Sequence, residues 1–587
     1  MATQHGRPHG TRASLLPISA AVLLAASTQV PALGAFFSSP DDLVHLQQAA
    51  GLRPALLSPF RYLSQVVYFR VMMTLFGPLP IAFHLLSLVT HLLNVALVFL
   101  LLVRLAVPRS VAAVAAACFG CFPLFYPLLA SAVGMNDELA VAFMLISLLL
   151  FLREGWASAM GSWAAFVAAL LCKESVITMP LLLLYIARPR ARPWRIVLMM
   201  ATAALFAALL LLLPPQGLGP YAIGVGMNAF HNLMTYTAWA VNVTRPLPDL
   251  VSSYDPLAWR TGIWVAVAIT AAWLGMAKAR WFIGLGVAWW LIALLPVLLL
   301  QFQTYRHYLY PALPGLCLVC AAVARDGLCS AVTALRRSRP QGDRSNARWV
   351  AAVMALAVVL YAVQSHRLIL RRQNARVPGT RLALDPFTRR QEVARNALAS
   401  FARDLGSAGP TNVAIFSPPG TGRIYGARSG REYARPGPGP GQRPYDLLAE
   451  SLDHGGAVRL FFPEVDTVRF VDRWTSELKQ YELFLPYQEG FLHGVGIGVS
   501  AHARAAAWMF DQGWYAEARD YLADVNDAYP REPALLLAHG IALLRSGDSA
   551  RASATLAEVI RLDPQGEAAT EARRLFAMDS LGTPRRQ

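Results

Sequence analysis

Residues 80–103 read PIAFHLLSLVTHLLNVALVFLLLV, a run without a single Asp, Glu, Lys or Arg. An α-helix needs about 20 apolar residues to cross the hydrocarbon core of a bilayer, so this stretch by itself puts the chain in a membrane. Similar runs flank it at 14–35, 110–131, 139–152, 194–213, 259–277, 282–301, 307–324 and 349–366. Between Arg153 and Arg188 lie two shorter helical runs, 157–172 and 175–187, split by the charged Lys173-Glu174. They read as a hairpin with that pair at its tip, and the expected total is about eleven spans.

Composition agrees. Of 587 residues 56% are hydrophobic and only 15% charged, with a mean hydropathy of +0.42, whereas soluble domains carry about 25% charged residues. Disorder, collagen-like structure and a small disulfide scaffold are excluded. The excess of 52 Lys+Arg over 35 Asp+Glu, formally +17, comes largely from Arg clusters between the apolar runs. With no zinc-finger spacing, RNA-binding aromatic signature or Walker A loop, no nucleic-acid partner is expected. Cys118/Cys121 and Cys317/Cys320 mimic a double C-x-x-C metal site. They sit inside apolar spans without polar neighbours and read as small buried hydrophobes, so no metal ligand set is assigned.

Orientation follows from the positive-inside rule. Arg104/Arg109, Arg153, Arg188/Arg190/Arg192/Arg195, Lys278/Arg280 and the run from Arg325 to Arg348 occupy every alternate connection, which places these on the cytoplasmic side. The opposite connections hold Asp41/Asp42, Asn136-Asp137-Glu138, Lys173-Glu174, residues 214–258 and Tyr305-Arg306, and the region after the last span falls on that same outer side. Arg7 and Arg12 ahead of a run ending in Ala32, Gly34 and Ala35 look like a secretory signal. The run is long enough to span, and an uncleaved first helix is expected.

The order of these elements is familiar. An acidic pair follows the first span; then come Leu75-Phe76-Gly77-Pro78-Leu79-Pro80, Phe83-His84-Leu85-Leu86 and His91-Leu92-Leu93-Asn94. Cys121-Phe122-Pro123 leads to Gly134-Met135-Asn136-Asp137-Glu138-Leu139. Lys173-Glu174 near Pro180, Leu295-Pro296-Val297 and Tyr305-Arg306-His307-Tyr308-Leu309-Tyr310 before Gly315 complete the series. This pattern resembles the C-type (GT-C) membrane glycosyltransferases, most of all the transmembrane, tetratricopeptide-repeat O-mannosyltransferase-like proteins and their bacterial relatives. The chain departs from it at Phe122-Pro123, where the family commonly has His-Pro. The resemblance implies transfer of a sugar from a polyprenyl-phosphate donor to an acceptor outside the cytoplasm.

The residues themselves suit that chemistry. An attacking hydroxyl needs a base to take its proton, and Asp41 and Asp42, expected at the membrane–water boundary where the first helix ends, are the candidate catalytic carboxylates. A phosphate leaving group needs cations rather than an acid; Arg306 and Lys173 are the candidate phosphate ligands, guanidinium matching phosphate oxygens in pairs. Tyr305 and Tyr308 could frame the sugar or lipid head, and Asn136, Asp137 and Glu174 complete the candidate substrate site. A divalent metal is compatible with the outer carboxylates but is not required beside Arg and Lys. His84 and His91, seven apart on one helix face, point to inter-helix hydrogen bonding.

After about residue 370 the chain turns soluble. Thr388–Leu405 has helical periodicity behind Asp385-Pro386, Asn412–Phe416 and Val458–Phe462 read as buried strands, and Tyr445–Leu452 as a helix between them. The glycines at 420–422 and 494–498 read as turns, and Arg435–Pro444 as a loop or linker. Residues 499–566 repeat with period 34: Gly513/Gly547, Ala518/Ala552, Leu522/Leu556, Val525/Val559 and Pro530/Pro564 correspond, a tetratricopeptide pattern closed by a helix at Glu567–Met578. The expected organisation is a GT-C-like transmembrane domain over 1–370, an extracytoplasmic α/β domain over 371–498 and two repeats plus a closing helix over 499–587.

The expected function is an integral-membrane hexosyltransferase, with mannose one candidate sugar, of a bacterial inner membrane. Its acceptor would be a protein hydroxyl, glycan or lipid, and its repeats would offer a surface to a protein or peptide partner. Two alternatives belong to other classes: a membrane-anchored repeat scaffold without catalysis, and a transporter or flippase, which would carry its ionisable groups near mid-membrane.

Overall fold

The computed structural model describes residues 15–38, 40–55, 58–187, 193–212, 222–241, 254–335, 343–378, 380–405, 411–416, 447–486 and 488–580. The chain forms two compact units: Met1–Phe37 with Ala55–Arg372, and Ser38–Pro54 with Gln373–Gln587.

The first unit is built of apolar helices, and the chain is a multi-pass helical membrane protein. All eleven apolar segments are helical. Among the described residues eight helices are long and apolar enough to cross a membrane, nine if Arg109–Gly120 and Pro123–Leu129, bent by 41°, form one broken span. The remaining two, Trp156–Cys172 and Glu174–Ile186, are shorter, because the backbone is extended at Lys173 (φ −160°, ψ 136°) and interrupts the helix there. The bend before Pro123 has a simple cause: proline has no N–H to donate and breaks the helical ladder. Gln29 Nε2 donates to two carbonyls at the break, Gly120 O at 3.2 Å and Phe122 O at 3.0 Å, where a low-dielectric setting makes unpaired backbone groups costly. Helices Arg280–Leu298 and Leu313–Leu335 cross in close contact at Gly286 and Gly315, where a Cβ on either would come within 2.5 Å of the other's carbonyl oxygen; small residues allow such an approach in lipid.

At the basic end of this unit Arg195 donates to Arg153 O at 2.9 Å and Gly155 O at 2.8 Å, tying together two of the connections that the charge rule puts on one side. Three helices lie where no span was expected: a π-helical turn at Tyr62–Val67, Tyr68–Phe76 and Met227–Val241.

The second unit contains a four-stranded sheet in the order β2-β1-β3-β4, with β1 at Thr411–Phe416, β2 at Val465–Val471, β3 at Tyr481–Pro486 and β4 at Leu492–Gly496. β1 is parallel to β2 and β3, and β4 is antiparallel to β3. Helix Pro386–Asp404 starts at Asp385, whose carboxylate accepts from Thr388 N at 3.0 Å, a side-chain N-cap. Val458–Phe462, expected as a strand, lies in the short helix Gly456–Phe461 and its C-cap; a brief apolar run has no decisive period, and the real strands β2 and β3 follow it. Gly494 and Gly496 belong to β4 rather than to a turn, while Gly498 (φ +80°) leads into the next helix. The glycines at 420–422 and Arg435–Pro444 lie outside the described residues. Segment 38–54, expected with the membrane domain, belongs to this unit.

Five consecutive helices end the unit: Val499–Asp511, Tyr515–Ala528, Pro533–Ser546, Ser549–Leu562 and Glu567–Ser580. The positions that recur every 34 residues do matching work. Ala518 and Ala552 are fully buried, as are Val525 and Val559, and Gly513 and Gly547 both take left-handed backbone at φ +73° and +91°, where glycine has no Cβ penalty.

Between the first two of these helices His502 is buried against Trp474, with Nδ1 at 2.5 Å from Tyr521 Oη. Burial lowers its pKa from 6.5 to about 4, so the folded unit holds the imidazole neutral. Because the unfolded chain takes up this proton first, stability is full above pH 6.5 and falls as the pH drops toward 4, by up to about 3 kcal/mol from this group. Hydrogen exchange over 499–528 in the full-length protein is expected to quicken between pH 7 and pH 5, relative to intrinsic rates. In His502→Gln that pH dependence is expected to shrink.

Candidate active site

The unit of apolar helices carries a second set of charges, at the opposite end of helix Met135–Phe151 from Arg153. Helix Met135–Phe151 begins there, and its first turn carries Asn136, Asp137 and Glu138, all buried. Carboxylates at a helix N-terminus face its unpaired N–H groups and are stabilised by them. Lys173, at the break after Trp156–Cys172, reaches Asp137 Oδ2 at 2.6 Å, and both side chains are almost fully buried. The neighbouring Glu174 forms a two-pronged pair with Arg61, Nε lying 2.9 Å from Oε2 and Nη2 bonding Oε1. Arg61 stands at φ +58° immediately before the π-helical turn Tyr62–Val67. Both features are uncommon and recur at functional sites. Ser64, inside that turn, donates to Cys172 O at 2.7 Å and so ties the turn to the helix end that presents Lys173.

Tyr305–Tyr310 packs against the same charges. Lys173 Nζ lies 5.2 Å from the centre of the Tyr308 ring, within cation–π range. Tyr305, His307 and Tyr308 form a ring cluster, His307–Tyr308 at 4.5 Å and Tyr305–His307 stacked at 5.2 Å. Arg306 lies over Trp239 at 5.6 Å. Trp239 sits on helix Met227–Val241, which Asn232 fastens to the start of this loop by donating to Leu298 O and Leu300 O.

A polar layer lies alongside. Glu138 accepts from Ser87 Oγ at 2.6 Å. Asn94 donates to Glu138 O at 2.9 Å and Tyr310 Oη at 3.1 Å. His91 bridges Tyr310 Oη at 2.8 Å and Gly120 O at 3.0 Å, an inter-helix role rather than a metal one. Among the described residues no group of three His, Cys, Asp or Glu could hold a metal ion.

The donors and acceptors left over show what the site can bind. Asn136 Oδ1, Asp137 Oδ1 and Glu138 Oε2 are buried and have no hydrogen-bond partner among the described residues. Three orphaned acceptors on consecutive residues are costly without a donor to meet them. Next to them Lys173 spends one of its three N–H donors on Asp137.

Seven of the nine candidate residues lie in this unit. Asp137, Lys173, Tyr308 and Tyr305 are linked by direct contacts, Glu174 adjoins through Arg61, and Arg306 joins through its loop. Asp41 and Asp42 belong to the other unit, on helix Asp41–Ala49. They were expected at the end of the first span, but that span ends with the 3₁₀ turn Val30–Gly34, and a separate helix carries the pair. Asp42 is fully buried and accepts from Ser38 N at 2.7 Å and Ser38 Oγ at 3.0 Å, whereas Asp41 is exposed. The sequence reading missed Arg61, Ser87, Tyr310 and Trp239. For Arg61 a signal existed: it is a cation in a connection that the charge rule puts outside, apart from the basic series.

No family model matches the chain, and no curated protein matches it in sequence. Among solved structures it is similar to ArnT from Cupriavidus metallidurans bound to undecaprenyl phosphate, at 15% identity and TM-score 0.42, over 80% of this chain and 92% of that one. The same protein in the apo state gives 14% identity and TM-score 0.38 over the same shares. The Archaeoglobus fulgidus oligosaccharyltransferase tethered with an acceptor peptide gives 11% identity and TM-score 0.39, over 69% of this chain and 61% of that one.

Proposed function

We propose that this chain is a glycosyltransferase that moves a hexose from a polyprenyl-phosphate donor to an acceptor hydroxyl on the outer face of a bacterial inner membrane. One observation carries the reading: acceptor oxygens on the consecutive residues Asn136, Asp137 and Glu138 are buried without a partner among the described residues, and Lys173, paired with Asp137, carries donors beyond that bond. A sugar phosphate needs that pairing, since its hydroxyls donate and its phosphate oxygens accept.

In this reading Asp41 is the base, being exposed on the first turn of its helix, and Asp42 is the residue that fixes that turn through Ser38. The acceptor oxygen attacks the anomeric carbon as Asp41 takes its proton. The bond from that carbon to the phosphate oxygen breaks, and the electron pair leaves on the polyprenyl phosphate. A single displacement inverts the anomeric centre. Lys173, Arg61 and Arg306 hold the growing phosphate charge, while Tyr305 and Tyr308 frame the sugar. No step needs a metal. The repeated helices at 499–580 form the surface for a protein or peptide acceptor.

Binding provides the test. Purified full-length protein is expected to retain a polyprenyl phosphate, with affinity reduced about tenfold or more in Arg306→Ala, since charge-assisted hydrogen bonds contribute about 1.5–3 kcal/mol each. Equal binding by the wild type and by a triple variant Arg61→Ala/Lys173→Ala/Arg306→Ala would remove the phosphate site and favour the scaffold or transporter.

A further inference from the structure

The helix that bears the acidic pair is built into the second unit as one of its own elements. Asp42, Leu43, Leu46 and Gln47 form its buried face, the i, i+1, i+4, i+5 spacing of one helical side, and Asp41 is left outward. Gln47 on that face and Arg53, beyond the helix end, reach one carboxylate: Gln47 Nε2 donates to Asp453 Oδ2 at 2.8 Å, and Arg53 Nη2 lies 2.9 Å from the same oxygen. Asp453 is itself buried, across 406 residues of sequence from Gln47.

The backbone that presents Asp453 is unusual. Asp453, His454 and Gly455 all have positive φ, at 47°, 51° and 97°. Non-glycine residues seldom occupy this region, and strain of this kind persists only where the surroundings over-determine it. The turn is also fitted closely to the helix. A Cβ at Gly456, the next residue, would come within 2.3–2.5 Å of the Gln47 amide.

We infer that Asp453 is a positioning residue for the reaction: it latches helix Asp41–Ala49, through Gln47 and Arg53, so that Asp41 keeps its catalytic orientation. The inference rests on the proposed function. It gives the C-terminal unit a share in the chemistry beyond any acceptor binding, because the turn 453–455 holds the segment that carries the base.

The test uses the full-length protein. Gly456→Ala is the first variant. Its φ is ordinary and it starts a helix, so alanine leaves the fold intact while its methyl pushes the Gln47 amide away. Asp453→Asn keeps an acceptor for Gln47 and loses the ion pair; Asp453→Ala loses both. Turnover of a polyprenyl-phosphate hexose is expected to fall severalfold in Gly456→Ala and Asp453→Asn and tenfold or more in Asp453→Ala. KM for the donor is expected to stay unchanged. Amides of 41–53 are expected to exchange faster in the same order, with exchange in β1 and β3 unaltered. If 41–53 loosens while turnover holds at the wild-type value, or if 41–53 stays protected in all three variants, Asp453 is structural and the inference fails. If Asp41→Asn also turns over normally, the proposed function fails and the inference falls with it.

Discussion

Asp41→Asn is expected to lower glycosyl transfer by about 10²–10⁴-fold, the usual contribution of a general base, while the protein folds and binds polyprenyl phosphate as before. Asp41 is exposed at the start of its helix, and asparagine matches its size and shape. Asp42→Asn should behave differently. Its Oδ2 receives two hydrogen bonds from Ser38; an amide keeps an acceptor there but loses the charge and puts an NH2 on the other side of a fully buried group, at a cost of about 1–3 kcal/mol. Faster exchange over 40–46, with a smaller loss of turnover, is expected there. Initial rates of donor consumption in membranes, beside hydrogen exchange, separate the two. Equal rate losses with no change in exchange would contradict the division of roles.

Lys173→Met is the second large effect. It leaves Asp137 buried without its partner at 2.6 Å, and breaking a buried ion pair on one side costs about 3–5 kcal/mol. Transfer should be lost and the detergent-solubilised protein should melt earlier. Lys173→Met/Asp137→Leu removes both charges and should regain most of that stability, since apolar replacement of a whole buried pair is often neutral. It should not regain transfer, because the phosphate ligand and an acceptor oxygen are both gone. A double variant that recovers stability and transfer together would make the pair purely structural.

Much of the architecture could be read from local pattern, and most of what could not depends on partners distant in sequence. Apolar runs of about 20 residues name their own helices, and period-34 glycines and alanines name the repeated ones, because each signal lies within a window of neighbouring residues. The pair Lys173-Glu174 stood out because charges are costly between apolar helices. Its partners did not stand out. Arg61 meets Glu174 across 113 residues, and no local period records such a pairing. The same holds for helix Asp41–Ala49: its position next to the first span in sequence pointed to the membrane surface, whereas the helix packs on Gly456–Phe461 and its Gln47 bonds Asp453, 406 positions later. Val458–Phe462 was misread for another reason, since six residues after a glycine satisfy strand and helix alike.

Hexose transfer that depends on Asp41 leaves a trace in the glycans of the cell. Glycans, glycolipids and glycoproteins of a knockout strain, complemented with wild type or with Asp41→Asn, would be profiled by mass spectrometry. A hexose is expected to be lost from one class of molecule in the knockout, to return with the wild type, and not to return with Asp41→Asn at equal protein abundance. Full restoration by Asp41→Asn, or profiles that never differ, would contradict hexose transfer through Asp41.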